Sequence, residues 1–410
     1  MSSVYLQCSK CGKKYPFKMK YFRCDECNEP LEGKYDYEML REKINRETFV
    51  GRINTIWRYM ELFPLKHKHS IVSLNEGYTP LIKAEKLGKL IGVNNLYMKD
   101  ETRNPTMSFK DRGSAVGISV AIENGANLVA CASTGNMAAS LAAYSSKAGI
   151  RSIILVPKGV SREKLAQIAI YEPLILEVDK PYPELYRFSF HIARNYNVAL
   201  IHSDSPLRVE GQKTIGFEIL EQLNWIVPDW VIVPTSSGGN FSAIWKGFKE
   251  FYALDLIEEL PGMIAVQSEG CAPIVRAFKE KRANVEPWGE PRTIAHSISN
   301  PDPSLASGNR VLRILRECNG YAETVSDEEI IRVLQLIASR EGIFVEPASA
   351  TSIAVISKLL NEGIIDRKDL VVSILTGSGL KEVKSIEAIP KNIKKISTLR
   401  ELEGIVIGVR

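Results

Sequence analysis

The sequence predicts an α/β protein of two doubly wound, mostly parallel sheet domains, preceded by a small unit that carries its own cysteine cluster. Three observations predict it. From about residue 75, short apolar runs (NLYMK, LVACA, SIILV, LILEV, WVIVP, MIAVQ and LVVSIL) end in small-residue loops and alternate with Ala-rich helical segments. Continuous apolar strands of this kind belong to a parallel sheet covered on both faces. The length of 410 residues exceeds a typical domain of roughly 100–200 residues, so two domains and an appendage are expected. Four of the seven cysteines, Cys8, Cys11, Cys24 and Cys27, fall near the start.

Residues 1–33 repeat a CxxC pattern, CSKC and CDEC, with twelve residues between the two pairs. The segment is too short to bury a core of its own. Four thiolates around one Zn2+ would supply the missing folding free energy, which predicts a zinc-ribbon-like unit with a closed, structural metal site. Residues 34–73 mix charged and apolar residues at helical spacing and read as a helical connection, with His67 and His69 in a solvated loop. Residues 74–385 form the main body. The tail, 386–410, reads as a helix and strand packing on that body.

Composition excludes several classes. Hydrophobic residues at 45% and charged residues at 25% are ordinary for a globular chain. A net charge of +5 without a dense basic block gives nucleic acid no electrostatic footprint. There is no apolar run long enough to span a membrane, and MSSVYLQCSKCGKKYPFK lacks a secretory apolar stretch, so the expectation is a soluble, cytoplasmic protein without a membrane partner. Cys131, Cys271 and Cys318 read as small core residues.

Four loops carry the candidate chemistry, because ligands of open α/β sheets bind beyond the carboxyl ends of strands. STGN at 133–136 and TSSGGN at 235–240 each lie between a strand and a helix. Backbone amides at a helix N-terminus favour an anion, and Gly238 and Gly239 allow close approach. TSSGGN is neither a Walker loop nor the dinucleotide GxGxxG fingerprint, which points to a phosphorylated cofactor or substrate. In NPTMSFKDRG, Lys110 is the candidate Schiff-base lysine, a role that needs a partly desolvated or positively surrounded amine. In LTGSG, Thr376 offers a hydroxyl suited to a ring nitrogen, and EPASA at 346–350 precedes another helix.

SFKDRG, STGN, EGQKT, SSGGN, EPASA and LTGSGLK occur in an order that resembles the fold-type II pyridoxal-phosphate enzymes and, among them, threonine synthases; NEGYTPL at 75–81 fits the same entry segment. The resemblance spans about 74–382 and implies a smaller subdomain, about 115–215, inserted in a larger one. It also implies that Lys110 carries pyridoxal 5'-phosphate and that Asn136 contacts its 3-hydroxyl. Ser236, Ser237, Gly238, Gly239 and Asn240 would hold the cofactor phosphate, and Thr376 would face the ring nitrogen. Ser133 and Thr134 would receive the substrate carboxylate. Ser203 and Arg208 would grip the phosphate of O-phosphohomoserine, in the bidentate manner open to a guanidinium. The implied chemistry is γ-elimination and β-hydration to threonine in a homodimeric lyase of amino-acid biosynthesis.

The sequence departs from the usual pattern at Met107, where glycine is common, and at Met137, His202 and Ser378. These positions bear on substrate more than on cofactor. Rival activities are β-replacement on O-phosphoserine, giving cysteine or cysteate, and threonine or serine dehydration. From a different class comes an inactive binding protein recruited through its ribbon, against which the retained Lys110 and phosphate loop speak.

Overall fold

The structure is a computed structural model that describes residues 4–19, 21–160, 162–180, 182–196, 198–202, 205–383 and 393–409. The N-terminal unit is an antiparallel sheet of β1 (Tyr5–Cys8), β2 (Lys14–Pro16) and β3 (Leu31–Lys34), in the order β2-β1-β3. Alternation along β1 turns Leu6 and Cys8 inward, where they meet Tyr15, Cys24 and Leu31.

The segment that follows is helical only in pieces. It forms one five-residue helix, Tyr37–Arg41, and the 3-10 turns Arg46–Phe49, Ile56–Leu62 and Lys68–Ser70. Asn45 and Thr55 cap new turns and Gly51 sits at φ +73°, so no continuous helix survives. The segment is anchored rather than free: Phe49 and Tyr59 are buried against Phe217 and Phe251, with Phe217 stacked on Phe251 at 4.1 Å.

The body holds two sheets. The chain enters the larger one through β4 (Leu81–Lys83) and β5 (Asn95–Asp100). It leaves to build β6 (Leu128–Ala132), β7 (Arg151–Pro157), β8 (Leu174–Val178) and β9 (Ala199–Leu200), an all-parallel sheet in the order β8-β7-β6-β9. It returns for β10 (Trp230–Pro234), β11 (Gly262–Ser268), β12 (Tyr321–Val325) and β13 (Leu370–Leu375). The larger sheet runs β12-β11-β10-β13-β5-β4, and β4 alone is antiparallel to its neighbour. The interior strands are buried on both faces, which is why they read as unbroken apolar runs.

Two buried ionic groups brace this core. Arg112 donates to Glu101 and Glu218, and Lys99 shares Glu218. Lys213 and Lys246 both pair with Glu210 and Glu250. Tyr35, just after the N-terminal sheet, donates to Glu210 at 2.6 Å, which ties that unit to the body.

The tail differs from expectation. Over 393–409 it holds the helix Leu399–Val409 and no strand, and residues 393–404 are exposed rather than packed on the body. Among the described residues no helix is long and apolar enough to cross a membrane.

Candidate active site

The carboxyl ends of β6, β10 and β13 open onto one cavity of about 440 Å3, lined by Lys110, Ser133, Thr134, Asn136, the 235–240 loop and Thr376. These come from four separate motifs. Topology brings them together, since parallel strands end on the same side and each is followed by a loop and a helix.

The loop after β10 leads into the fifteen-residue helix Gly239–Ala253. Gly238 is left-handed, with φ +86°, and a Cβ there would lie 2.6 Å from Val311 Cγ2 and 2.9 Å from the Ser307 carbonyl oxygen. Only glycine fits. Ser307 N–H donates to the Ser237 carbonyl at 2.9 Å, and Asn300 Nδ2 donates to Ser237 Oγ at 2.8 Å. Both polar side-chain atoms of Asn240 are buried without a hydrogen-bond partner in the protein. A buried amide left open beside a helix N-terminus suits an anionic ligand, because burial without a partner is otherwise costly.

Across the cavity, Lys110 opens the helix Lys110–Glu123. The preceding Phe109 N–H donates to the Thr376 carbonyl at 3.1 Å, so the lysine is fastened to the end of β13. Burial, and then the charge of Arg208, pull the Lys110 amine down to about 7, while Glu346 opposes the shift. An amine so placed is available in its neutral, nucleophilic form near neutral pH.

Arg208 departs from its expected place. It is wholly buried in the helix Pro206–Gln212 and does not line the cavity. Nη1 donates to Ser114 Oγ at 2.9 Å and Nη2 to the Lys110 carbonyl at 3.1 Å, so its fork is turned toward the lysine helix. Its close neighbour is Gly113, where a Cβ would come within 3.1 Å of Arg208 Cζ. Ser203 lies outside the described residues.

Sequence reasoning missed Glu346, the first residue of EPASA, to which it gave no role in the site. The carboxylate is buried on the cavity wall and accepts from Asn136 Nδ2 at 3.0 Å, Thr376 Oγ1 at 3.1 Å and Ser297 Oγ at 3.2 Å. The EPASA motif was visible, but nothing local told that its first residue faces inward. Residues 296–302, Tyr186 and Lys381 also line the cavity, and the first of these segments lacks any periodic pattern that would have flagged it.

In the N-terminal unit, the four cysteine sulfurs lie within 4.8 Å of one another. Cys8 and Cys27 Sγ are 3.3 Å apart and Cys11 and Cys24 Sγ 3.5 Å, far longer than a disulfide of about 2.05 Å. A tetrahedron of Zn–S bonds of about 2.3 Å has edges of about 3.8 Å, so the four sulfurs fit a metal.

Comparison with known proteins gives the family. The family described as "Pyridoxal-phosphate dependent enzyme" matches residues 72–377. The threonine synthase of Methanocaldococcus jannaschii is 47% identical over 377 residues, 92% of each chain. That of Methanosarcina acetivorans is 40% identical over 93% of each chain. This chain belongs to the threonine synthase family of pyridoxal-phosphate-dependent enzymes. Maize serine racemase, 21% identical, superposes with a TM-score of 0.62 over 81% of this chain and 92% of its own, which shows the shared fold. The cavity fits the family's cofactor: an activated lysine at one side, a glycine-lined helix N-terminus at the other, and an unsatisfied asparagine between loop and helix.

Proposed function

We propose that the protein is a threonine synthase that converts O-phosphohomoserine and water to threonine and inorganic phosphate. The observation that carries the reading is the Lys110 amine, held near 7 in a cavity that also presents the 133–136 and 235–240 loops. Overall identity to curated threonine synthases supports the choice among activities of this fold.

Ser236, Ser237, Gly238, Gly239 and Asn240 would hold the cofactor phosphate, and Lys110 the cofactor itself. Asn136, fixed by Glu346, would meet the 3-hydroxyl. Thr376 would present its hydroxyl to the ring nitrogen. Ser133 and Thr134 would receive the substrate carboxylate at the start of the helix Asn136–Ala148. The electron sink for the reaction is supplied by pyridoxal phosphate when bound. Lys110 takes protons from Cα and Cβ and returns protons to Cγ and Cα. The Cγ–O bond breaks with release of phosphate, water adds its hydroxyl at Cβ, and the remaining proton of that water ends on the released phosphate. Arg208 would act from behind, keeping Lys110 neutral between transfers, while Ser203 keeps its expected role at the substrate phosphate.

A structural zinc ion at Cys8, Cys11, Cys24 and Cys27 belongs to the same proposal, on the sulfur geometry. Cytoplasmic residence and a homodimer rest on the family resemblance. The test of the cofactor role is spectroscopic: purified protein with pyridoxal phosphate should show a visible Schiff-base band that Lys110→Ala abolishes. A colourless wild type, or a band that survives the substitution, would remove Lys110 from the mechanism.

A further inference from the structure

Through consecutive residues the N-terminal unit touches one wall of the catalytic cavity directly and reaches the other by way of Phe190. Phe22 stands edge-on to Phe190 at 6.0 Å and packs against the small-sheet cluster of Ala130, Val198 and Leu200. Phe190 in turn meets Tyr186 at 5.1 Å, and Tyr186 lines the cavity. Arg23, the next residue, reaches the opposite side and donates from Nη2 to the carbonyl of Leu305, another cavity residue.

Two residues beyond Leu305, Ser307 supports the phosphate loop through its N–H bond to Ser237 and its packing under Gly238. The same stretch continues into the helix Gly308–Glu317, which is also gripped. Arg310 donates to the Pro30 carbonyl, and Arg313 donates to Glu29 at 2.7 Å. Arg310 is 3% exposed, so this is a buried junction and not a loose surface contact. Arg23 is held in turn, with Nη1 on the Asn28 carbonyl at 2.6 Å and a backbone bridge to Pro30.

We propose that the cysteine unit is a clasp across the catalytic cleft, in which Phe22 and Arg23 are positioning residues for the two walls of the cofactor cavity. They directly precede Cys24, so the metal that orders this loop would also order the clasp. Each lobe ends on a different loop system, and closing them around a ligand requires that their relative placement be held. Neither residue touches the reacting atoms. The inference rests on the cofactor cavity and the metal site and is independent of which amino acid is turned over.

The test compares the zinc-loaded holoenzyme with Phe22→Ala and Arg23→Ala, using Phe22→Leu and Arg23→Lys as conservative partners. The measurements are zinc per chain, hydrogen exchange, release of the visible cofactor band on dilution, and KM against kcat for O-phosphohomoserine. Loss of a charge-assisted hydrogen bond corresponds to a change of about tenfold in an equilibrium. The clasp predicts retained zinc, faster exchange confined to 186–190 and 303–307, and cofactor release about fivefold to tenfold faster. It also predicts a raised KM with kcat within about twofold, and substantial rescue by the conservative variants. Wild-type exchange and wild-type cofactor release in both alanine variants overturn the proposal. Zinc loss, or faster exchange across the whole molecule, marks general destabilisation and overturns it as well. A wild type that binds cofactor but leaves O-phosphohomoserine untouched removes the proposed substrate, while exchange and cofactor release still decide the clasp.

Discussion

Met107 carries a left-handed backbone, φ +61°, between Asn104, whose carbonyl accepts its N–H at 2.8 Å, and Ser378, whose N–H it accepts at 3.0 Å. This conformation costs a residue with a Cβ about 1–2 kcal/mol, and glycine adds roughly 0.4–1 kcal/mol of unfolded-state entropy. Met107→Gly should therefore raise stability by up to about 1 kcal/mol in urea melts, with both hydrogen bonds kept. The departure from the family's glycine was legible in the sequence, but its physical meaning needed the dihedral. Lys110 yields a pH prediction. Its folded-state pKa lies below that of a free lysine, so the neutral amine increases as pH rises through about 7. Cofactor uptake by cofactor-free protein should speed up through the same range. Arg208→Gln removes a positive charge that disfavours the ammonium's presence, so the folded pKa rises and the uptake midpoint moves to higher pH. An unmoved midpoint would show that Arg208 does not act on the lysine.

At the scale of elements, the apolar runs named from the sequence all fall on strands β5, β6, β7, β8, β10, β11 and β13. Strands buried on both faces, such as β6, β10 and β13, are apolar almost throughout, which makes them readable, whereas the edge strand β8 has no buried residue and was read from its Leu, Ile and Val residues alone. The missed strands have physical reasons: β9 has two residues, β4 is a three-residue edge, and β12 carries Glu323, a buried carboxylate paired with Lys279. The EGQKT motif was read as part of the resemblance, and the structure gives it a structural basis. Glu210 and Lys213 sit inside the buried ionic group, and a Cβ at Gly33 would lie 2.7 Å from Glu210 Oε1. Glu210→Ala leaves the two buried lysines, Lys213 and Lys246, sharing the single carboxylate of Glu250, and this excess of buried positive charge should lower stability by about 3–5 kcal/mol in denaturant unfolding. At the phosphate loop, Gly238→Ala forces a Cβ against Val311 and Ser307. Cofactor affinity should fall by at least about tenfold in absorbance titrations, because the loop must shift away from its helix-terminal geometry.

For the whole molecule, the lobes and the loops at their meeting were legible because both follow from strand–loop–helix order. The assembly of the cavity wall was not. Glu346, the 296–302 segment and the turn of Arg208 toward Lys110 depend on contacts between residues far apart in the chain. The cysteine spacing announced a metal site but could not show that Arg310 and Arg313 lock it to the body. Metal analysis should find about one zinc per chain. Stripping it with chelator should unfold the N-terminal unit first, since the body keeps its own large core and the unit has only a handful of buried residues. The most direct test of the central claim is product analysis of the cofactor-loaded protein with O-phosphohomoserine, with O-phosphoserine plus sulfide or sulfite in parallel. Equal amounts of threonine and inorganic phosphate from O-phosphohomoserine are predicted; turnover of O-phosphoserine alone, or no phosphate release from either, would contradict it.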